Sequence, residues 1–550
     1  MKNINLIGLT ILVALAFSSC SKTAIQGKMI PKEAVMAIVV NMKSVSSKLS
    51  WDEIKEAAWF QAALKDSNTT AWQKQLMGNP ELSGIDTKSD QVFFLLKNVT
   101  DGEVVFVGDI KDRALFETFN KHSDSSSNVT KDGNQNFKVI KNKAVLGWND
   151  NKFVFVGGFD IPSQNINASD SMAHPMKQVS TDKLSSICKR IFLLSKDSSL
   201  AVDEKFSTLV SEEGDAHLWI NIEQLTRNSL SMGMMGMLKL DKLFEGNLIT
   251  ATANFENGKI LVKQKTYAGK DLSDILKKYS GGTVDNEIIK HLPSSGLATV
   301  IGLHYKPEAI PEFMKLAGID GLANIVLAQA GISLDEIIKA NKGDVVFGIS
   351  NVKLKTDSVP AAVTDSGTSH FQAEMSTIFA VSINDKDAFE KLMNAARKMS
   401  AEKPAPKDLI FKNTGKYFVI GNNPQVIDNF ITGNKAAPPI TDRIRDYPAF
   451  GFVDMQMLMK AIQPGIKDTS HQKLFDINKA MWDNADFYGG QFSNGGITTT
   501  FEMNLIDKNT NSLKQLNSYI DKVYPYRKLH FHDGETFKTD STMMNVIPKP

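Results

Sequence analysis

Apolar and polar positions along this chain form short strand-length runs broken by turn signals, with helix-period segments between them. A β-rich apolar run follows a proline twice, at Val35–Met42 and at Leu297–His304. The segment "SWDEIKEAAWFQAALK" sets Ile54, Ala57, Ala58 and Ala62 at helical spacing behind Ser50, an N-cap residue type, and predicts a helix. Val92–Lys97 and Val104–Asp109 flank "NVTDG" and predict a hairpin. Two further hairpins are predicted to turn at Glu256–Gly258 and Ser493–Gly496, where Asn–Gly pairs supply positive φ cheaply. The polar, Pro- and Gly-containing stretch Lys353–His370 predicts a long exposed hairpin tip.

The pattern occurs twice in the same order. "IPKEAVMAIVVNMK" at Ile30 is matched by "LPSSGLATVIGLHYK" at Leu292, and "SDQVFFLLKNV" at Ser89 by "KGDVVFGISNV" at Lys342. "IKDRALFETFNK" at Ile110 is matched by "INDKDAFEKLMN" at Ile383, and "NKFVFVGG" at Asn151 by "GKYFVIGN" at Gly415. "DAHLWINIEQL" and "YPAFGFVDMQML" form a fifth pair, "TANFENGKI" and "GGQFSNGGI" a sixth. Antiparallel hairpins with interspersed helices predict an α+β fold made of two similar tandem halves, each an antiparallel sheet with helices packed on one face. The halves are expected at 30–280 and 281–526, with the linker in "SGGTVDN" and a tail at 527–550.

The N-terminus has Lys2, an apolar run from Leu6 to Phe17, and small residues up to Cys20, as in a secretory signal over 1–19. The run is shorter than the ~20 apolar residues that span a bilayer. Cysteine directly after Ser18–Ser19 resembles a bacterial lipobox, with Phe17 in place of the usual leucine. The resemblance implies a Cys20 acylated at the mature N-terminus, a tether over 20–29 and a membrane partner. "SKTAIQGK" after the cysteine has no acid, and the expectation is an outer-membrane lipoprotein facing the periplasm. An ordinary signal peptide with a chance cysteine is the alternative.

Charge narrows the partners. Lys and Arg number 63 against 61 acids, without a long basic run, which argues against nucleic acid. With Cys20 acylated, Cys188 has no disulfide partner and reads as a small buried apolar residue. No G-x-S-x-G elbow, H-E-x-x-H, P-loop, G-x-G-x-x-G or EF-hand loop occurs, and no cofactor is expected. Trp59, Trp148 and Trp219 sit in apolar periodic contexts and read as core. "FSSC", "IPKEAVMAIVVNMKSV", "FVIGN" and "VSINDKDAFEKL" make the chain resemble the large lipoproteins of Bacteroidetes grouped as a domain of unknown function. That resemblance implies an envelope location in a Gram-negative cell and supplies no activity.

Methionine is the remaining chemical signal. "SMGMMGML" carries Met232, Met234, Met235 and Met237, and "FVDMQMLMKAI" carries Met455, Met457 and Met459, each after a matching strand. Three readings stand: core packing, an adaptable apolar surface, and soft thioether ligands for Cu(I). His530 and His532 in "LHFHDGE" share one side of an extended segment and are the weak metal candidates, without a spaced third ligand. His304 at the end of its strand reads as a hydrogen-bonded structural histidine. The function expected is a non-enzymatic envelope lipoprotein that binds a hydrophobic ligand or an envelope protein through the methionines. An assembly scaffold without a small ligand and an envelope hydrolase with a dispersed site are the alternatives.

Overall fold

Strand alternation decides which residues are covered in the computed structural model, which describes residues 24–66, 69–97, 101–123, 128–160, 179–226, 240–355, 372–399, 408–433, 436, 438, 440–444, 446–466 and 468–526. The fold is α+β, and its contacts divide it into two compact units. The first comprises residues up to Val45, Gln75–Leu225 and Thr250–Thr252; the second comprises Ser46–Lys74, Thr226–Ile249 and Ala253 onward.

The first unit contains β1 (Met36–Val40), β2 (Gln91–Lys97), β3 (Asp101–Asp109), β4 (Val129–Asp132), β5 (Gln135–Ile140), β6 (Ala144–Trp148), β7 (Lys152–Asp160) and β8 (Ala216–Asn221). All of their pairings are antiparallel, in the order β8–β1–β2–β3–β7–β6–β5–β4. Helix Thr181–Phe192 packs on β6 and β7 and buries Leu184, Cys188 and Ile191. It comes this close because position 147 is glycine: a Cβ there would run 2.6 Å from Cys188 Sγ. Helix Glu204–Ser211 buries Phe206, whose ring meets Trp219 edge-on.

The second unit contains β10 (Lys259–Tyr267), β11 (Leu297–His304), β12 (Asn341–Lys355), β13 (Gln372–Ile383), β14 (Ile410–Asn413), β15 (Tyr417–Gly421), β16 (Ala449–Asp454), β17 (Trp482–Ser493) and β18 (Gly496–Leu505). β9 (Leu248–Glu256) precedes β10, and the chain turns between them through Gly258 at φ +67°. The antiparallel order is β10–β18–β17–β16–β11–β12–β13–β15–β14. On one face Val300, Val346, Ile378, Val419 and Phe450 are buried with Ile288, Ile289, Ile427 and Phe430 from helices Asn286–Lys290 and Pro424–Thr432. The Gly281–Gly282 turn that suggested a linker has positive φ at both residues. Helix Lys270–Tyr279 before it and β11 after it both belong to the second unit.

β2 pairs with β3, β9 with β10 and β17 with β18, as the predicted hairpins require. The helix behind Ser50 begins as expected: Glu53 N–H donates to Ser50 Oγ, and Ser50 N–H donates back to Glu53, a complete capping box. It is not one helix, however. Ala57 turns extended (ψ 136°) and divides it into Trp51–Glu56 and Ala58–Lys65. The break is held by Trp59 N–H donating to Asp521 Oδ1 and by Phe60, which is buried against the edges of Trp51 and Trp59. The predicted tip Lys353–His370 lies largely outside the described residues.

Candidate functional site

An antiparallel sheet with one face on a core usually turns polar residues to the other. The second unit does not. The residues alternating with its buried set form one row of directly opposed partners across the strands. Val262 faces Phe501, Phe501 faces Phe487, and Phe487 faces Gly451. Gly451 faces Ile301, Ile301 faces Phe347, Phe347 faces Phe379, and Phe379 faces Ile420. The row contains no polar side chain. From Phe501 to Phe379 it crosses five strand spacings, about 24 Å.

Neighbouring rows continue the apolar surface. Leu303, Val345 and Val381 lie on one side; on the other Ile349, Val453, Ala485 and Met503 are interrupted by Thr299, between Ile349 and Val453, and by Thr377 opposite Ile349. Helix Lys386–Met399 covers one end, where Phe389, Leu392 and Met393 pack on Phe418, Ile420 and Val381. Helix Met455–Ile462 packs on β11, β12 and β17 as well; within the row Ile301 is 44% exposed, Phe501 39% and Phe379 37%, while Phe347 and Phe487 are half-buried. Gly451 shapes the middle, since a Cβ there would run into the Phe487 ring. Phe487 and Phe501 have ring centroids 6.1 Å apart.

The first unit repeats the arrangement on its own sheet. Leu218, Ile38, Phe93, Phe106 and Phe155 are successive direct partners. Phe93 and Phe106 stack at 4.5 Å with planes 7° apart. Phe116 of helix Arg113–Ser123 covers the Phe155 end, and Phe93 stays 38% exposed. Surfaces of this composition bind by shape and by release of water, without fixing a charge.

The first unit also holds a polar cleft of about 200 Å³ lined by Gln26, Asn41, Ser44, Asp90, Glu212, Glu213 and His217. Ser44 Oγ donates to Oδ1 of the buried Asp215 at 2.6 Å, and Gln26 Nε2 donates to Asp90 at 2.8 Å. His217 Nε2 lies 3.0 Å from the Glu212 carbonyl oxygen, so that nitrogen carries the proton. The hydroxyl proton of Ser44 is directed to the Asp215 carboxylate. Among the described residues no group of three or more His, Cys, Asp or Glu is placed to hold a metal ion.

Of the residues singled out in the sequence, Met455, Met457 and Met459 are half-buried in helix Met455–Ile462, which Asp454 caps by accepting from Met457 N–H. That helix packs against β11, β12 and β17, the strands that carry Ile301, Phe347 and Phe487. Cys20, Met232, Met234, Met235, Met237, His530 and His532 lie outside the described residues. His304 Nδ1 meets Oδ1 of the buried Asp344 at 2.8 Å, a structural pair. Trp148 and Trp219 are core; Trp59 is only half-buried, its Nε1–H donating to Asn517. Cys188 is fully buried, and burial pushes its thiol up to about 12. The open apolar rows were missed in the sequence. Their signal was present: "VFFLL", "VIGL" and "VVFGI" carry no polar side chain at consecutive positions, the signature of strands with two apolar faces.

The chain belongs to the family described as a domain of unknown function, DUF4836, whose model matches residues 27–513. No curated protein matches it. Among solved structures it is similar to crystal form I of TP0453, at 10% identity and a TM-score of 0.24, over 45% of this chain and 81% of that one. Crystal form III of TP0453 gives 9% identity and a TM-score of 0.25, over 47% and 88%.

Proposed function

We propose that this chain is a periplasm-facing lipoprotein of a Bacteroidetes envelope, anchored through acylated Cys20, that binds a long apolar ligand such as a lipid acyl chain without transforming it. The observation that carries the reading is the unbroken, partly exposed apolar row Phe501–Phe487–Gly451–Ile301–Phe347–Phe379 on the sheet face opposite the Val346–Ile378 core. Its span of about 24 Å suits an extended chain better than a compact ligand. Each buried CH₂ of such a chain contributes about 0.8 kcal/mol.

A duplication fits the same picture. The pairing order β8–β1–β2–β3–β7 in the first unit corresponds to β16–β11–β12–β13–β15 in the second. Ile38–Phe93–Phe106–Phe155 and Ile301–Phe347–Phe379–Ile420 occupy matching places in that order. Native mass spectrometry of the protein purified from envelopes, followed by organic extraction, tests the reading. A co-purified lipid that is lost in Ile301→Glu/Phe379→Glu supports it. A clean apo mass, or lipid retained equally by the variant, counts against it.

A further inference from the structure

Helix Met455–Ile462, in the second unit, lies against three strands and yet buries nothing. Met455, Met457, Leu458, Met459, Ala461 and Ile462 make it mostly apolar, and it packs on β11, β12 and β17, but none of its residues is buried. The core face of the sheet is filled by helices Asn286–Lys290 and Pro424–Thr432, and among the described residues none of Met455–Ile462 packs into that core. The helix therefore sits on the side of the apolar row. There Phe347 and Phe487 are half-buried and Ile301 stays 44% exposed. Apolar surfaces that meet inside a protein normally close-pack and bury each other. These two leave the space between them incompletely filled.

The helix is held from behind. Gln456 Nε2 donates to the Lys479 carbonyl oxygen at 2.8 Å and to that of Trp482, and Lys479 Nζ donates to Gln463 Oε1 at 3.1 Å. Its backbone is thus tied to helix Thr469–Met481, and the part free to adapt is its apolar side chains. Met455, Leu458, Met459 and Ile462 recur at helical spacing on one stripe, with exposed Lys460 opposite. Methionine is unbranched and flexible, and it repacks around what enters. We propose that the row and this stripe are two walls of one slot. A single unbranched acyl chain lies in it, with Ile301, Phe347 and Phe487 on one side and Met455 and Met459 on the other. The proposal rests on the acyl-chain reading above and adds to it a second wall and a preference. A slot between a tied helix and a sheet admits a slim, flexible chain and excludes a rigid fused-ring ligand.

The test is methyl NMR of the full chain carrying isotope-labelled methionine methyl groups, assigned through Met455→Leu, Met457→Leu and Met459→Leu. The probe is stearate with a nitroxide near its methyl end. The expected result is loss of the Met455 and Met459 signals by paramagnetic broadening, with a smaller effect on Met457, which lies off the stripe. Plain stearate restores the signals and cholesterol does not. Stearate that binds, and is lost in Ile301→Glu/Phe379→Glu, while the Met455 and Met459 signals stay intact overturns the slot and leaves the row reading standing. Broadening that persists in Ile301→Glu/Phe379→Glu also overturns the slot, because the chain then lies away from the row. Restoration by cholesterol as complete as by stearate overturns the preference for a slim chain and the slot with it. No stearate binding at all, read by titration of the same sample, overturns the acyl-chain reading and this proposal together.

Discussion

Phe347 and Phe379 lie directly across from each other on β12 and β13 and point to the sheet face opposite Val346 and Ile378. One step along either strand therefore separates a residue of the helix-covered core from a residue of the open apolar row. Stability and ligand binding should separate by the same parity. Ile378→Ala is expected to cost about 3 kcal/mol, the range for a fully buried large-to-small change. Ile301→Ser, on the open face, is expected to cost about 1 kcal/mol while weakening binding of a fluorescent fatty acid. Urea denaturation and fatty-acid titration of the two variants check the contrast.

Gly451 holds the row flat at its middle. Gly451→Ala drives a methyl into the Phe487 ring, and overpacking of this kind costs about 1–3 kcal/mol. The ring has to lift from the sheet, so fatty-acid affinity should fall together with stability. A variant of unchanged stability and affinity would show that the ring has somewhere else to go.

The Ser50–Glu53 capping box gives a pH-dependent prediction. The hydrogen bond from Lys514 Nζ, at 2.6 Å, is the largest cause lowering Glu53 to about 2, followed by the Ser50 backbone N–H and hydroxyl. A carboxyl lowered on folding stabilises above its ordinary pKa, and that contribution is lost as pH falls toward about 2. Ser50→Ala should cost about 1 kcal/mol at neutral pH. The stability gap between wild type and Glu53→Gln should be present at pH 7, hold down to the ordinary carboxyl value of 4.5 and shrink from there toward about 2, measured by thermal unfolding.

His304 and Asp344 form a structural pair in which the carboxylate is buried. His304→Leu leaves Asp344 with Asp285 N–H, at 3.2 Å, in place of its imidazole partner. Loss of one member of a buried pair costs about 3 kcal/mol. The denaturation midpoint should fall while fatty-acid affinity stays the same, because neither residue belongs to the open row.

Much of this architecture is legible in the order of residues, and what escapes has physical causes. Turns announce themselves through backbone demands: Asn494 and Gly495 adopt positive φ where the sequence reading placed a hairpin. Ser50 announces its helix because a cap satisfies local N–H groups with local atoms. The break at Ala57 stays hidden, because Trp59 N–H in the second piece donates to Asp521, 462 residues away. The open row is hidden for a related reason. Ile301, Phe347 and Phe379 are unremarkable apolar residues until pairing register lines them up, and register depends on the whole sheet. Methionine drew attention as a residue type, yet Met455, Met457 and Met459 are half-buried beside the row and not part of it.

The most direct test of the central claim is photocrosslinking with a diazirine-bearing long-chain fatty acid, followed by peptide mapping of the labelled full chain. The account predicts adducts concentrated on the peptides carrying Ile301, Phe347, Phe379, Phe487 and Phe501, competed by unlabelled fatty acid and lost in Ile301→Glu/Phe379→Glu. Adducts spread without preference, or concentrated around the polar cleft at Ser44 and His217 and unaffected by that variant, would contradict it.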